Sequence, residues 1–130
     1  MLFLEYNYFG DEGAEALAGA LKKNTTLEVL DLGCNRIWDE GAEALAGALK
    51  KNSTLINLNL RHNIIGNEDA RAFADALENN TTIWNLFLPF NNISEEVRLG
   101  RLDKLIRRNM KARTNAKKER ANKRKRTGGE

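Results

Sequence analysis

The feature that most constrains this chain is a 28-residue period that runs through its first 110 residues. Three complete units fill residues 27–110, and residues 1–26 match the same unit without its opening positions. The stretch Asp11–Asn24 (DEGAEALAGALKKN) recurs unchanged at Asp39–Asn52. A fixed period of this length indicates stacked copies of one supersecondary unit, each of which buries its apolar face against its neighbours.

Each unit opens with alternating leucines, which predict a short strand with one buried face. The alternation creates three apolar columns: Leu2, Leu30, Leu58 and Leu86; Leu4, Leu32, Leu60 and Leu88; and Phe9, Ile37, Ile65 and Ile93. An inward asparagine after each strand can satisfy backbone groups of the turn, and the four units supply Asn7, Asn35, Asn63 and Asn91. We therefore expect a parallel sheet in which each leucine lies beside its equivalent.

A helix is predicted after each strand, because small and apolar residues recur there at helical spacing. In the second unit this face holds Gly41, Ala44, Leu45, Ala48 and Leu49. The end of each helix carries an asparagine, for which we predict a left-handed backbone: Asn24, Asn52 and Asn80. Each unit is therefore a β-strand followed by an α-helix, and the fold class is α/β.

The pattern LxxLxLxxNxI followed by DEGAxALAxALKxN resembles the ribonuclease-inhibitor-like class of leucine-rich repeat over residues 1–93. The same class occurs in intracellular nucleotide-binding immune receptors, in Ran GTPase-activating proteins and in tropomodulin-type proteins. The resemblance implies a right-handed solenoid with a concave parallel sheet and helices outside. It implies protein binding as a general function, because this class serves many partners.

The repeat array is predicted to occupy residues 1–110, with units that start before residue 1 and at residues 27, 55 and 83. Residues 94–110 are predicted to form a capping helix, since Ser94 is a favourable N-cap with acids behind it. Its apolar face is predicted to hold Leu99, Leu102, Leu105 and Ile106. Because Met1 falls within a strand, we expect a piece of a longer array whose uncapped N-terminal edge allows self-association.

Charge separates an acidic array from a basic tail. Residues 1–93 hold 7 Lys or Arg against 13 Asp or Glu, whereas residues 94–130 hold 14 against 5. Residues 111–130 carry no large apolar side chain, so we expect a disordered tail or a fraying extension of the capping helix.

The basic tail has three functional interpretations: a nuclear-localisation signal read by an import receptor, a nucleic-acid or other polyanion contact, or a contact with an anionic membrane surface or with the acidic array. The alternative to all three is a solvated segment without a partner. The residues concerned are Lys117, Lys118, Lys123, Arg124, Lys125 and Arg126. No aromatic residue interleaves them, so any nucleic-acid binding would not depend on sequence.

The residue inventory argues against catalysis. His62, the only histidine, lies one period after Cys34, the only cysteine, so the two side chains are expected on adjacent strands. A thiol beside an imidazole can act as a nucleophile, but no third residue orients the histidine, and zinc would need two further ligands. We predict no enzyme activity, no metal and no cofactor.

Compartment and membrane association follow from simple counts. The chain has no run of about 18 apolar residues, which argues against membrane insertion. One cysteine suits a reducing compartment, and the first residues lack the pattern of a signal peptide. We expect a cytosolic protein, with the nucleus as the alternative.

The variable positions of the strands and the loops after them are the candidate binding surface. Aromatic and arginine side chains, which dominate the energetics of interfaces, are frequent there. The candidate protein-binding residues are Phe3, Tyr6, Tyr8, Asp31, Arg36, Trp38, Arg61, His62, Phe87 and Phe90. Trp38 stands where other units have glycine or serine and is expected to be partly exposed. Asn59, on the same surface, is expected to tolerate alanine within about 0.5 kcal/mol.

These patterns predict a non-enzymatic protein–protein interaction module. One alternative is a nucleic-acid or polyanion binder that acts through the basic tail. Another is a small-GTPase regulator of the Ran GTPase-activating type, which the resemblance implies. The short array and the basic tail argue against that regulator, because Ran GTPase-activating proteins carry an acidic tail.

Overall fold

The computed structural model describes residues 1–128. Strands and helices alternate through the repeats as β1 (Leu2–Phe3), α1 (Gly10–Leu21), β2 (Val29–Asp31), α2 (Asp39–Leu49), β3 (Asn57–Asn59), α3 (Asn67–Leu77) and β4 (Asn85–Phe87). The chain then forms α4 (Glu95–Val97), a π-helical segment (Arg98–Leu102) and α5 (Asp103–Thr127). No helix within this described part is long and apolar enough to cross a membrane.

The four strands form one parallel sheet in the order β1-β2-β3-β4. Leu30 pairs with Leu2 on one side and with Leu58 on the other, and Leu58 pairs in turn with Leu86. Neighbouring partners are therefore one sequence period apart, as the leucine columns predicted. α1 packs against α2 and α2 against α3, which places the helices in a second layer. The α/β solenoid predicted from the repeat is confirmed.

The core lies between the sheet and the helices. Leu30 and Leu58 of the two central strands, and Leu32 and Leu60 directly after them, are completely buried. Phe73 of α3, which replaces the leucine of the first two units, is also completely buried. These side chains hold the concave sheet against its helices, so the surface residues of the strands stand on a rigid base.

The capping segment differs from its prediction at one residue. Leu102 and Leu105 are buried, but Leu99 is 49% exposed. Gly100 departs from helical geometry, with φ −82° and ψ −128°. This kink changes the helical phase between Leu99 and Leu102, so the four predicted apolar residues do not share one buried face.

The asparagines that follow β2, β3 and β4 connect consecutive turns, as predicted. In the third unit, Nδ2 of Asn63 donates to the carbonyl oxygens of Leu32 (3.0 Å) and Leu60 (3.0 Å). Its Oδ1 accepts hydrogen bonds from the backbone N–H groups of Asn35 (3.1 Å) and Ile37 (3.0 Å). One buried amide thus satisfies backbone groups of two units.

The asparagines at the helix ends also link consecutive units, and the prediction of a left-handed backbone there is wrong. Nδ2 of Asn52 donates to the carbonyl oxygens of Leu21 (2.9 Å) and Asn24 (3.2 Å) in the preceding unit. Its Oδ1 accepts hydrogen bonds from the backbone N–H groups of Thr54 and Leu55. The side chain takes these bonds directly, so the backbone has no need to turn left-handed.

Asn109 continues this second series and fixes α5 to the end of the array. Its Nδ2 donates to the carbonyl oxygens of Asn80 (2.9 Å) and Ile83 (2.7 Å), and the residue is buried. Beside it, the guanidinium of Arg108 donates to the carbonyl oxygen of Leu77 at 2.6 Å. The base of α5 is therefore held by backbone acceptors of the last repeats.

The segment that follows is helical to Thr127, so the structure has a helix where a disordered tail was one expectation. It corresponds to the other expectation, an extension of the capping helix. Alanine, lysine, arginine and glutamate favour helices, and the fixed base of α5 removes the cost of nucleation. The last two residues of the predicted tail, 129–130, lie outside the described part of the chain.

The junction between the first two helices is closed by a carboxylate. Oδ1 of Asp11 accepts hydrogen bonds from the backbone N–H groups of Trp38 (2.7 Å) and Gly41 (3.0 Å) at the start of α2. A Cβ at Gly41 would stand 2.6 Å from the same oxygen. The absence of a side chain at Gly41 is thus what admits the carboxylate.

At the next junction the equivalent of Gly41 is Asp69, which meets the carboxyl group of Asp39. Asp69 is buried, and its Oδ2 accepts a hydrogen bond from the backbone N–H of Gly66 at 3.0 Å. Burial, together with the nearby carboxyl groups of Asp39 and Glu43, raises the pKa of Asp69 to about 6. This junction is therefore more stable when Asp69 carries a proton.

We expect replacement of Asp69 by Asn to remove a pH-dependent loss of stability. Because folding raises the pKa of Asp69, the folded protein binds a proton there more tightly than the unfolded chain does. This stabilisation is fully present below the pKa of the unfolded state and is lost as the pH rises through about 6. The asparagine amide would still accept the hydrogen bond from Gly66 without taking a charge. The difference in unfolding free energy between variant and parent should shift in favour of Asp69→Asn by about 1 kcal/mol between pH 5 and 7.5. Urea unfolding at both pH values measures it, and a constant difference would contradict the assignment.

Candidate functional site

Exposed aromatic side chains are concentrated on one side of this protein. The chain has nine Phe, Trp and Tyr residues. Six of them are between 47% and 71% exposed, and all six lie on the strands or on the loops that follow them: Phe3, Tyr6, Tyr8, Trp38, Phe87 and Phe90. Exposed apolar area gathered on one side is typical of an interaction surface.

The concave column consists of Phe3, Asp31, Asn59 and Phe87, which occupy equivalent positions on the four strands. Nδ2 of Asn59 donates to Oδ2 of Asp31 at 3.0 Å. The four residues contribute to the lining of an open depression of about 270 Å³. The column therefore presents a fixed polar centre between two exposed phenyl rings.

The centre of the concave column is more ordered than the sequence suggested. Oδ1 of Asn59 also accepts a hydrogen bond from the backbone N–H of Arg61 at 3.0 Å. The view of Asn59 as a freely exposed asparagine is therefore corrected, because its amide joins two strands, and its tolerance of alanine stays a prediction. The guanidinium of Arg61 forms an ion pair with Glu5 at 3.2 Å, across the intervening strand. Glu5 was not among the predicted site residues, although it stands one column beside Phe3.

The loop edge is the second part of the surface and consists of Tyr6, Cys34, His62, Phe90, Tyr8 and Arg36. All six have a left-handed backbone, with φ between 51° and 60°. Such a conformation costs of order 1–3 kcal/mol when a side chain other than glycine adopts it. Hydrogen bonds between consecutive loops hold it here, as from the N–H of Cys34 to the carbonyl oxygen of Arg61 at 3.0 Å. Strained loops held by their neighbours are frequent at functional sites.

Side chains of the loop edge contact one another in pairs. The rings of His62 and Phe90 stack with centroids 4.2 Å apart and planes 10° from parallel. The guanidinium carbon of Arg36 lies 4.5 Å from the centre of the Tyr8 ring. These contacts order the side chains before any partner binds, which lowers the entropy lost on binding.

Cys34 and His62 do not show the arrangement of a catalytic dyad. Cys34 lies beside Tyr6 of the preceding loop, where its side chain raises the pKa of the phenol. His62 stacks on Phe90 in the following one. Over residues 1–128, no group of three or more His, Cys, Asp or Glu side chains is arranged to hold a metal ion.

Trp38 lies at the start of α2 and is 55% exposed, as its position in a usually small slot predicted. Its backbone is extended, and its N–H donates to Asp11 at 2.7 Å. The structure thus joins two pairs of predicted site residues, His62 with Phe90 and Arg36 with Tyr8. Asp31 and Arg61 bond instead to Asn59 and Glu5, which were not predicted. Phe3, Tyr6, Phe87 and Trp38 are exposed on the same side.

A second concavity lies on the opposite edge of the sheet, where helices lead into strands. It encloses about 530 Å³ between α5 and a series of hydroxyl side chains that includes Thr26, Thr54 and Thr82. At its wall, the guanidinium of Arg113 lies 5.2 Å from the centre of the Trp84 ring. The six predicted tail residues lie farther along α5 and are all exposed.

Comparison with known proteins agrees with this architecture. A family model described as a leucine-rich repeat matches residues 2–18, 23–46 and 51–74, which together make half of the chain. No curated protein matches. A solved structure of "Leiomodin-1 Actin-Binding Site 2 (ABS2)" is similar, with a TM-score of 0.70 and 23% identity, over 87% of this chain and 81% of that chain.

A tropomodulin C-terminal domain from Caenorhabditis elegans is also similar, with a TM-score of 0.53 and 17% identity. The similarity covers 82% of this chain and 81% of that one. At these identities the two neighbours show a shared fold, as the resemblance to tropomodulin-type repeats implied. The repeat columns, the parallel sheet and the matching family model together establish that this chain belongs to the leucine-rich-repeat family, in its ribonuclease-inhibitor-like class.

Proposed function

We propose that this chain is a non-enzymatic protein-binding module whose partner contacts the concave column, the loop edge and Trp38. The concentration of six exposed aromatic side chains on this side supports the proposal. The outer residues of the three repeat helices are instead small or charged, for example Glu15, Glu43 and Arg71. A water-facing surface needs no aromatic rings, whereas the centre of a protein interface is enriched in them.

The order of the surface supports the same proposal. His62, Phe90, Tyr8 and Arg36 are already paired, and their loops are fixed by hydrogen bonds to neighbouring repeats. A partner would therefore lose little free energy to ordering these side chains. Such a surface suits a protein with apolar sockets for the rings and with polar groups that reach Asp31 and Asn59.

Actin is the first partner to test. One structural neighbour of this chain is described as an actin-binding site of leiomodin-1. At 23% identity the likeness itself shows a common fold, so actin binding is a proposal for this chain. The exposed rings make this proposal testable, because an actin contact through them should weaken when they are replaced.

The experiment compares two matched triple variants. The aromatic variant replaces three exposed rings through Tyr8→Asn, Trp38→Asn and Phe90→Asn. Asparagine is chosen because it tolerates the left-handed backbone of Tyr8 and Phe90. The control, Glu15→Asn, Glu43→Asn and Arg71→Asn, changes three exposed positions on the helices. Binding is measured by co-sedimentation with filamentous actin, by titration of monomeric actin, and by quantitative capture from a cell lysate.

We expect the aromatic variant to lose about 100-fold or more in affinity, because single interface hot spots contribute about 2 kcal/mol or more. The control should bind as the parent does, and both variants should keep a cooperative melt. Lysate proteins captured specifically through the rings would support the module even if actin does not bind. Equal capture by the two variants would contradict the proposed surface.

A further inference from the structure

The part of α5 beyond Arg113 stands free of the array and has no role in the surface just described. Residues 111–127 extend the helix by about 25 Å at the usual rise per residue. Apart from Arg113, which is half-buried against Trp84, all of these residues are exposed. The hydrogen bonds of Asn109 and Arg108 fix the base, so the free part projects in a defined direction.

The charge of this projection is almost uncompensated. Residues 107–126 contain 11 basic side chains and one acidic side chain, Glu119. Arg107 pairs with Asp103, and Arg108 donates to backbone carbonyls. In the described part of the chain, the other nine form no ion pair: Lys111, Arg113, Lys117, Lys118, Arg120, Lys123, Arg124, Lys125 and Arg126. Their mutual repulsion opposes the helix, and a bound polyanion would relieve it.

The distribution of the cations indicates which kind of ligand fits. At 100° per residue they surround the helix, and residues 111–127 include no large apolar side chain that could form a stripe. An amphipathic contact with a membrane or with a groove in a protein requires such a stripe. Charge on every side suits a ligand that encloses the helix between two negative walls.

The major groove of B-form DNA is such a ligand, because it admits one α-helix between two phosphate backbones. The deep and narrow major groove of duplex RNA does not admit side chains in this way. Single strands are bound largely by stacking on aromatic rings, and residues 111–127 contain none. The geometry therefore favours duplex DNA over the other polyanions.

The face of α5 turned away from Trp84 carries amides as well as cations. Lys111, Asn115, Lys118 and Asn122 follow one another at intervals of four, three and four residues, opposite Arg113. Asparagine amides can contact base edges in the major groove while lysines contact phosphates. Some dependence on base sequence is therefore expected here, although the lack of aromatic rings alone predicted none. We propose that residues 111–127 of α5 bind double-stranded DNA by lying in its major groove, with Lys111, Lys118 and Lys125 on phosphates and the array held beside the duplex.

The first test measures ligand preference with the full chain. Fluorescence anisotropy of labelled 20-base-pair DNA is compared with single-stranded DNA, duplex RNA and a poly-glutamate peptide. We expect duplex DNA to bind at least about tenfold more tightly than the others at 50 mM KCl. The slope of log K against log salt should be about −4 to −8, from roughly five to nine phosphate contacts. Absence of duplex binding, or equal binding of poly-glutamate or single strands, would overturn the proposal.

The second test separates helix from charge. Ala116→Pro breaks the exposed helix but keeps every cation, and Ala116→Ser is its control. Ala116→Pro should weaken duplex binding about tenfold or more while binding to heparin stays within about twofold. Unchanged duplex affinity in the Ala116→Pro variant would overturn the proposal that α5 binds as a helix, because attraction between charges alone would then explain the binding. The melt of the array should be the same in both variants, because Ala116 is exposed on the free part of α5.

A charge-matched pair tests the proposed face. A triple variant with Lys111→Gln, Lys118→Gln and Lys125→Gln should bind the duplex about tenfold or more weakly at 100 mM KCl. The control variant removes the same charge from exposed positions at the ends of α1 and α2, through Lys22→Gln, Lys23→Gln and Lys50→Gln. Its affinity for the duplex should change by about twofold or less. Equal losses in the two variants would contradict binding through α5.

Discussion

Replacement of Leu58 by Ala is expected to abolish most of the cooperative unfolding of the array. Leu58 is completely buried and pairs with Leu30 and Leu86 at the centre of the sheet. The cavity should cost about 2–5 kcal/mol, which is a large part of the stability of a domain this size. Thermal and urea unfolding, followed by circular dichroism, measure the loss.

Leu2→Ala is the matched control for this prediction. Leu2 belongs to the same column but is 37% exposed at the edge of the sheet, so its truncation should cost about 1 kcal/mol or less. An unchanged cooperative transition in Leu58→Ala, or equal losses in the two variants, would mean that the leucine columns do not form the core.

Asn63→Ala should be nearly as damaging, although it removes no apolar contact. The buried N–H groups of Asn35 and Ile37 both donate to Oδ1 of Asn63. Without it they are left unpaired, at about 1–3 kcal/mol for each group. We expect a loss of about 2–5 kcal/mol in the free energy of unfolding, measured by urea titration.

Two further variants test the reason for this loss. Asn63→Asp keeps the acceptor for the two N–H groups but buries a carboxyl group whose second oxygen faces the carbonyl oxygens of Leu32 and Leu60. The loss of stability should therefore be larger at pH 7.5, where the carboxyl group is charged, than at pH 5. Asn7→Ala removes the equivalent amide from the exposed first turn, where water can replace it, and should cost about 0.5 kcal/mol. Equal effects of Asn7→Ala and Asn63→Ala would contradict the proposed role of burial.

The sequence was sufficient to predict the fold because one period determines both the register and the buried faces. Aligning Leu30 with Leu58 also aligns Asn35 with Asn63, so strand pairing and the bonds between turns follow together. The same alignment predicted that Trp38 is exposed. These features depend on the offset between repeats, and a repeated sequence displays that offset directly.

Features that depend on competing local geometries were harder to predict. Asn52 could end its helix with a left-handed backbone or with side-chain hydrogen bonds, and both options suit asparagine. The left-handed backbone belongs instead to residues such as Tyr6 and His62, whose types give no indication of it. Leu99 was misplaced because the kink at Gly100 interrupts helical periodicity.

The candidate surface was predictable in outline and not in its internal contacts. Variable strand positions identified the exposed rings, since alternation separates the outer face from the core. The pairing of Asp31 with Asn59, or of His62 with Phe90, depends on side-chain rotamers in adjacent repeats. Those contacts determine whether the surface is ordered, and therefore how strongly each ring should contribute to binding.

We propose that the concave column and the loop edge together form the partner-binding surface. Hydrogen exchange with mass spectrometry, on the free chain and on its complex with actin or another protein captured through the rings, tests this claim most directly. We expect increased protection in residues 2–9, 31–38, 59–64 and 87–92, and little change in α1, α2 and α3. Protection confined to those three helices, with the strand and loop segments unchanged, would contradict the account.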